Sequence, residues 1–322
     1  METKMNIGVM GCASIADRMV IPAIIQSGEF NLIAVASRNP EKANAYASKF
    51  NCEAIIGYDE LLERTDIEAI YMPLPTGIHL EWALKAIEKG KHLLIEKSLA
   101  ANYDEAKQII EAARKKGVLI KENFMFAYHK QLEVVRSILN SGQLGDIHTV
   151  RTAFGFPPFP DSNNIRYQTE LAGGALLDAG AYTLKISALL LGFDIKVLSS
   201  IMNVDDKFGV DVSGSIMMTD NKGTGIQTAY GFNHFYQCQL ELWGSLGKLT
   251  APRIFTAGPG VATKITIEKA GSTEQIDLES DNHFINLLNH FHSLIKSGEF
   301  ESEYAEILAQ ARLIEETKSA SV

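Results

Sequence analysis

Two segments of the sequence combine a proton donor with a carboxylate. Glu96 and Lys97 directly follow a β-type run at residues 92–95, and Asp178 and Tyr182 stand four residues apart in an otherwise apolar helical pattern. A spacing of four places two side chains on one face of a helix. The Asp178 carboxylate stands in apolar surroundings and needs a partner, which Lys97 or Tyr182 could supply. Such groups can polarise a carbonyl or hydroxyl and transfer its proton. The structural alternatives are a surface ion pair for Glu96 and Lys97 and a helix cap for Asp178.

The first β-type run ends in a turn that could hold the phosphates of a dinucleotide. From Gly11 the sequence approximates G-x-G-x-x-G/A, with Ala13 replacing the second glycine and Ala16 at the third position. The motif needs a tight turn, a close approach of the backbone to the pyrophosphate, and a small residue where helix and strand pack. A plain strand-to-helix connection is the alternative. The predicted cofactor contacts of this turn are Gly11, Cys12, Ala13, Ser14 and Ile15.

The end of the second β-type run indicates which dinucleotide would bind. Ser37, Arg38 and Asn39 stand where NAD-selective folds place a carboxylate for the adenosine ribose. A guanidinium can bind a 2′-phosphate, and Ser37 would add a hydroxyl donor. We therefore predict NADP(H), with NAD(H) as the alternative cofactor and an exposed arginine at a helix entrance as the structural alternative.

The elements that must position these groups alternate through the first third of the chain. Strands are predicted at residues 6–10, 31–37, 69–72, 92–96 and 118–123, with helices from about residue 14 and at 40–50, 78–89 and 103–116. Strands separated by such helices pair in parallel through right-handed crossovers. The predicted fold class is α/β, with an N-terminal Rossmann dinucleotide-binding domain over residues 1–127. Glu96 and Lys97 then lie at the sheet edge where ligands collect, and both are predicted cofactor contacts.

After residue 127 the pattern changes to alternating β segments. They are predicted at residues 147–156, 197–204, 210–218, 224–231, 237–243 and 264–268, with helices at 131–140, 283–296 and 304–318. Turn residues join neighbouring segments at hairpin distance, which indicates a mainly antiparallel sheet. We therefore predict a C-terminal α+β domain over residues 128–322. The loop at 157–165, with three prolines, is expected to border a pocket.

Composition limits the classes of function. The 322 residues include 30 Lys+Arg and 39 Asp+Glu, a formal charge of −9 without any basic run, which argues against nucleic-acid binding. No uninterrupted apolar stretch approaches the roughly 20 residues that span a bilayer, and the N-terminus is not typical of a signal peptide. We expect a cytoplasmic protein that binds neither nucleic acid nor a membrane.

Metal and disulfide chemistry have little support. The three cysteines, Cys12, Cys52 and Cys238, are odd in number and lack CxxC spacing. His290 and His292 are two apart, so their side chains diverge on a helix. No metal is predicted.

Several motifs in order resemble the glucose-fructose oxidoreductase / inositol dehydrogenase (Gfo/Idh/MocA) family over essentially the whole chain. They are the Gly11 turn, Pro73-Leu74-Pro75-Thr76-Gly77-Ile78-His79, Glu96-Lys97, Glu122-Asn123-Phe124-Met125 and Gly173-Gly174-Ala175-Leu176-Leu177-Asp178. The chain departs from the family at Ser98, where proline is usual, and at Tyr182, where histidine is frequent. The segments 11–16 and 241–256 are similar to those of the nucleotide-sugar 3-ketoreductase branch.

The resemblance implies roles that spacing alone does not give. It implies that Lys97 and Tyr182 act at the substrate oxygen, that Asp178 lies in the substrate pocket and that Arg166 lies near the nicotinamide. It further implies that the cofactor is bordered by Pro73, Leu74, Thr76 and His79. For the C-terminal domain it implies an open sheet that binds substrate on one side and forms a homodimer or homotetramer through its large face.

The function expected from this resemblance is NADPH-dependent reduction of a nucleotide-linked 3-keto-deoxyhexose. Oxidation of a free aldose or a dihydrodiol would use the same fold and is the alternative within enzymes. A cofactor-binding regulator without turnover is the alternative from another class. Retention of both Lys97 and Tyr182 disfavours the regulator, which would have no use for a positioned proton donor.

Overall fold

Six parallel strands form the first sheet, in the order β3-β2-β1-β4-β5-β6. They are β1 (Met5–Met10), β2 (Phe30–Ser37), β3 (Glu53–Ile56), β4 (Ala69–Met72), β5 (His92–Ile95) and β6 (Ile120–Glu122). The computed structural model describes residues 4–322. Residues 1–3 lie outside the described part of the chain. The predicted N-terminal domain and the expectation of no signal peptide both include them. The strand order reverses between β1 and β4, which creates the switch point where α/β sheets bind ligands.

Helices connect these strands. They are α1 (Ile21–Ser27), α2 (Pro40–Phe50), α3 (Asp59–Leu62), α4 (His79–Glu88) and α5 (Tyr103–Lys116). The two longest begin at asparagine caps: the side-chain oxygens of Asn39 and Asn102 each accept a main-chain N–H three residues later, at 2.9 Å. The predicted α/β class is thus confirmed, while β3 and α3 were not predicted.

Eight strands form the second sheet, in the order β14-β13-β12-β11-β7-β10-β9-β8. They are β7 (Ile147–Gly155), β8 (Lys196–Asp205), β9 (Val210–Thr219), β10 (Gly225–Gly231), β11 (Gln237–Gly244), β12 (Gly247–Ala251), β13 (Thr263–Lys269) and β14 (Ser272–Leu278). All neighbours are antiparallel except β7 and β10. The predicted mainly antiparallel sheet is therefore confirmed.

Helical segments accompany the second sheet. They are α6 (Lys130–Asn140), a π-helical turn (Leu176–Gly180) and α7 (Ala181–Leu191), which continues directly from that turn. By length and composition, Thr169–Leu191 is the one stretch among residues 4–322 apolar enough to cross a membrane, although polar residues interrupt it. In the fold, 78% of its most apolar window is buried, as in a core helix.

The chain returns to the first unit near its end. Residues up to Asn123 and the segment Phe284–Leu308 form one compact unit, and Phe124–His283 with Ala309–Val322 form the other. The predicted boundary after residue 127 lies close to the first crossing, but the return within α8 (His283–Ser297) and α9 (Glu301–Ser319) was not predicted. An amphipathic pattern shows that a helix must cover an apolar surface, but not which sheet provides it.

Candidate functional site

The turn after β1 has the backbone shape that a phosphate-binding turn requires. Gly11 has φ +124°, a conformation strained for any other residue, and a Cβ there would crowd Cδ2 of Leu74 at 3.0 Å. Its N–H donates to the carbonyl of Ala36 at 2.9 Å. Beyond Gly11, the predicted contact residues are all at least partly exposed: Cys12, Ala13, Ser14 and Ile15.

The helix after this turn packs as the motif demands. Ala16 is fully buried and begins a π-helical turn, Ala16–Val20, that leads into α1. The helix was predicted from about residue 14, but its π-helical start was not. A larger side chain at Ala16 would have no room, which explains the small residue at the third motif position.

Arg38 lies just beyond the end of β2 and is exposed. Its guanidinium hydrogen-bonds the hydroxyl of Tyr58; burial raises the pKa of Tyr58, and the nearby Arg38 charge opposes that rise. Ser37 is buried, and its Oγ accepts the N–H of Asn39 at 3.1 Å. Arg38 is therefore available to an anion, whereas Ser37 shapes the turn.

Four predicted cofactor contacts follow β4 and differ in their burial and in their partners. Pro73 and Leu74 are buried, with Leu74 against Gly11, and Thr76 is partly exposed at the start of a short 3₁₀ turn. His79 is fully buried: Nδ1 lies 3.1 and 3.0 Å from the carbonyl oxygens of Ser98 and Leu99, and Nε2 lies 2.8 Å from that of Leu74. The His79 ring thus braces main-chain segments, and its predicted contact with the cofactor stays a prediction.

Glu96 and Lys97 follow β5 as predicted, and Glu96 has buried partners that sequence reasoning missed. Its Oε1 accepts from the hydroxyl of Tyr71 at 2.6 Å and from Nδ2 of Asn123 at 2.5 Å. Burial raises the pKa of Glu96, while Tyr71, the Lys97 charge and Asn123 oppose that rise. The Lys97–Ser98 peptide bond is cis. The sequence signal that could have revealed Tyr71 is a hydroxyl-bearing residue in the otherwise apolar strand β4.

Tyr182 lies in α7 inside an aromatic cluster of the second unit. Its side chain is 7% exposed, and its hydroxyl lies 3.6 Å from Sδ of Met125. Four phenylalanine rings pack around it with centroids 5.1–5.7 Å away: Phe124, Phe126, Phe154 and Phe255. The ring is therefore fixed in orientation by packing while part of the residue remains accessible.

Asp178 lies in the π-helical turn before α7, and Arg166 provides it with a charged partner. Arg166 Nε is 2.5 Å from Asp178 Oδ2, and the guanidinium stacks over the Phe159 ring at 4.6 Å. Lys97 or Tyr182 was the expected partner. Arg166 stands twelve positions before Asp178, outside the helical segment of Asp178 and Tyr182, so spacing could not reveal this pair. Asp178 and Tyr182 occupy consecutive turns of one continuous helical segment.

Asp211 in β9 holds the start of that helical segment and was not predicted. Its Oδ2 accepts the N–H of Leu176 at 2.7 Å, and a Cβ at Gly174, which has φ +117°, would lie 2.2 Å from its Oδ1. Burial raises the pKa of Asp211 to about 6. Asp211 therefore supplies the cap of this helix, a role that the sequence left open for Asp178.

Within residues 4–322, His, Cys, Asp and Glu side chains form no group of three that could hold a metal ion. The arrangement in the first unit instead suits a dinucleotide, with a glycine turn, an exposed arginine after β2 and a lysine after β5.

Comparison with known proteins agrees with both units. Residues 5–124 match the family described as "Oxidoreductase family, NAD-binding Rossmann fold", and residues 132–250 match the "GFO/IDH/MocA C-terminal domain". A dTDP-3,4-didehydro-2,6-dideoxy-alpha-D-glucose 3-reductase of Saccharopolyspora spinosa is 40% identical over 92% of this chain and 90% of its own. A protein of the same name from Streptomyces violaceoruber is 36% identical over 98% and 95%. The crystal structure of KijD10, a 3-ketoreductase from Actinomadura kijaniata in complex with NADP and TDP-benzene, superposes with a TM-score of 0.96 at 34% identity, covering 99% and 98% of the two chains.

Proposed function

The chain belongs to the GFO/IDH/MocA family of oxidoreductases, and we propose that it uses NADPH to reduce the 3-keto group of a nucleotide-linked deoxyhexose. The observation that carries this proposal is likeness over almost the whole chain to 3-reductases of a dTDP-linked sugar, at 40% and 36% identity. The superposition on a 3-ketoreductase with NADP and TDP-benzene supports the same cofactor and substrate class.

The residues of the first unit fit NADP(H). Gly11, with φ +124°, makes the tight turn after β1 at which dinucleotide-binding folds bring the pyrophosphate close to the backbone. Arg38 is an exposed cation after β2, suited to a 2′-phosphate. When bound, the nicotinamide supplies the hydride that the carbonyl carbon receives.

The proton is assigned to the chain's own side chains. A tyrosine, with an ordinary pKa near 10, is protonated at neutral pH, so Tyr182 donates its proton to the developing alkoxide. The Lys97 ammonium stabilises negative charge on that oxygen and on the tyrosinate left behind. The fixed ring of Tyr182, held by four phenylalanines, supports this assignment because general acid catalysis depends on position.

Asp178 and Arg166 are assigned to substrate and cofactor positioning. Asp178 is 13% exposed and Arg166 34% exposed as side chains, so both retain accessible surface while neutralising each other. We assign Asp178 to hydrogen bonding with the sugar and Arg166 to the nicotinamide side. The second carboxylate oxygen of Asp178 can accept hydrogen bonds from sugar hydroxyls while Oδ2 faces Arg166.

Comparison of substrates tests the proposed function. Turnover of a dTDP-linked 3-keto-deoxyhexose with NADPH should exceed oxidation of xylose, glucose or a dihydrodiol with NADP⁺, because binding of the remote nucleotide can be used to accelerate the chemical step. Faster turnover of a free aldose would refute the proposal and favour the aldose dehydrogenase. Tight dinucleotide binding without turnover of any of these compounds would favour the regulator.

We further propose that the protein acts in the cytoplasm as a homodimer or homotetramer, without nucleic-acid or membrane partners. Its acidic balance supports the absence of nucleic acid. Exposed apolar side chains on strands of the second sheet support self-association; they are Leu198, Ile201, Val204, Met217 and Trp243. Light scattering should give a mass of two or four chains, which Ile201→Glu should reduce, and cell fractionation should place the protein in the soluble fraction. A monomeric wild type or a membrane-bound fraction would contradict these expectations.

A further inference from the structure

A chain of hydrogen bonds joins the interior of the first sheet to Lys97. Tyr71 lies in β4 and is fully buried. Its hydroxyl donates to Oε1 of Glu96 at 2.6 Å, and Nδ2 of Asn123, after β6, donates to the same oxygen at 2.5 Å. The Glu96 carboxylate also accepts the main-chain N–H of Lys97 and feels the charge of its ammonium. Tyr71 is therefore two hydrogen bonds away from the Lys97 backbone.

The chain after Lys97 is held as firmly. The N–H of Leu99 donates to Oε1 of the buried Glu122 at 2.8 Å. The ring of His79 contacts the carbonyl oxygens of Ser98 and Leu99. Buried polar groups from neighbouring elements thus fix the main chain on both sides of the lysine, as expected where a side chain must be held within a fraction of an ångström.

Tyr71 can be separated from the packing of the sheet. Phenylalanine has the same shape without the hydroxyl, so Tyr71→Phe keeps the buried ring and removes one donor to Glu96. A carboxylate that accepts several donors is held in one orientation, and loss of one donor lets it move. Glu96 would then hold the Lys97 N–H less firmly.

We propose that Tyr71 is a positioning residue for Lys97 that acts through the Glu96 carboxylate, with Asn123 as the second donor. This inference rests on the proposed function, in which Lys97 stabilises charge at the carbonyl oxygen. A small displacement of a group that stabilises the transition state lowers kcat steeply.

The first experiment measures steady-state turnover of Tyr71→Phe with NADPH and the dTDP-linked 3-keto sugar. We expect kcat to fall about tenfold while the Kd for NADPH is unchanged, because the adenosine half is bound elsewhere. The matched control is Tyr304→Phe, which removes another buried hydroxyl of the same unit, one that donates to the Val118 carbonyl at 2.5 Å. Tyr304→Phe should keep the wild-type kcat, and an equal fall in both variants would overturn the proposal.

The second experiment asks whether Tyr71 acts through Lys97. In a Lys97→Met background, Tyr71→Phe should lower kcat no further, since its effect is already lost. The same tenfold fall in both backgrounds would show a general structural effect and overturn the inference alone. Wild-type kcat in Lys97→Met would instead contradict the proposed role of Lys97, and this inference with it.

A third measurement is used where turnover of Lys97→Met is too slow for the effect of Tyr71→Phe on its kcat to be measured. The rate at which an amine-reactive reagent labels Lys97, followed by peptide mass spectrometry, should change in Tyr71→Phe and not in Tyr304→Phe. Equal Lys97 labelling in wild type and Tyr71→Phe would overturn the proposal.

Discussion

The ion pair between Lys121 in β6 and Glu303 in α9 should be a major source of stability for the first unit. Both side chains are buried, at 5% and 10% exposure, and His290 of α8 lies 3.4 Å from Glu303. Burial alone would raise the pKa of Glu303, but hydrogen bonds from His290 and Lys121 and their charges hold it at about 2. Against an ordinary value of 4.5, this difference corresponds to about 3 kcal/mol of stability at neutral pH.

Removing one partner should cost a similar amount. Lys121→Met and Glu303→Gln should each lower the free energy of unfolding by about 3–5 kcal/mol at pH 7, because each leaves a buried charge without its partner. The double variant Lys121→Met with Glu303→Leu should lose much less than the sum of the two. Because the folded-state pKa of Glu303 is lowered, its contribution is present above pH 4.5 and is lost as the pH falls toward 2.

The two tryptophans provide the assay. Trp82 lies in α4 of the first unit and Trp243 in β11 of the second, so urea unfolding followed by fluorescence in a Trp243→Phe background reports the first unit. Arg114→Met is the control. It removes the exposed ion-pair partner of Glu301, which lies on α9 as Glu303 does, and should lower the free energy of unfolding by at most about 1 kcal/mol. A loss below 1 kcal/mol in Glu303→Gln, or a gap from wild type that does not narrow between pH 5 and 3, would refute the reasoning.

Four further variants test the site and the segment that leads to Tyr182. Arg38→Ala should weaken NADPH binding and leave NADH binding unchanged in fluorescence titrations; an unchanged preference would remove Arg38 from the cofactor site. Tyr182→Phe and Lys97→Met should each lower kcat by ~10² to 10⁴ with NADPH affinity retained, and wild-type rates in both would mean that another group gives the proton. For Asp211, the folded-state pKa is raised from 3.8 to about 6, so its contribution is full below about pH 4 and lost as the pH rises through 6. Asp211→Asn should remove that dependence, worth about 3 kcal/mol, from unfolding curves measured between pH 4 and 7.

Local signals in the sequence predicted the regular elements well. The bounds of α2 and α5 agree with the predicted 40–50 and 103–116, because a proline or an asparagine cap marks each start. β3, β12 and β14 were missed because EAII, GKLTA and STEQIDL are short or polar and show no clear alternation. A strand of this kind exists because a neighbouring strand offers it hydrogen bonds, and that neighbour is invisible in the local sequence.

The residues of the candidate site also fall into those that local sequence signals reveal and those that they do not. Gly11, Lys97 and Tyr182 were found because their neighbours in sequence form motifs. Pairings made by the fold were not found, even for Asn123, which lies in a family motif. Tyr71 and Asn123 stand 25 and 27 residues from Glu96, and Asp211 stands 35 residues from Leu176. No spacing rule connects residues on different strands.

The missed residues share one physical role. Each unit holds one proposed catalytic residue on a segment whose start is fixed by a carboxylate with a raised pKa. Glu96 accepts the N–H of Lys97, and Asp211 accepts the N–H of Leu176, which begins the segment leading to Tyr182. Neither carboxylate has to react. Their burial is unfavourable for the charged form, and main-chain donors offset that cost only while the segment stays in place. A shift of the segment would remove a main-chain donor from a buried charge, so the burial that raises these pKa values also makes movement of Lys97 and Tyr182 unfavourable.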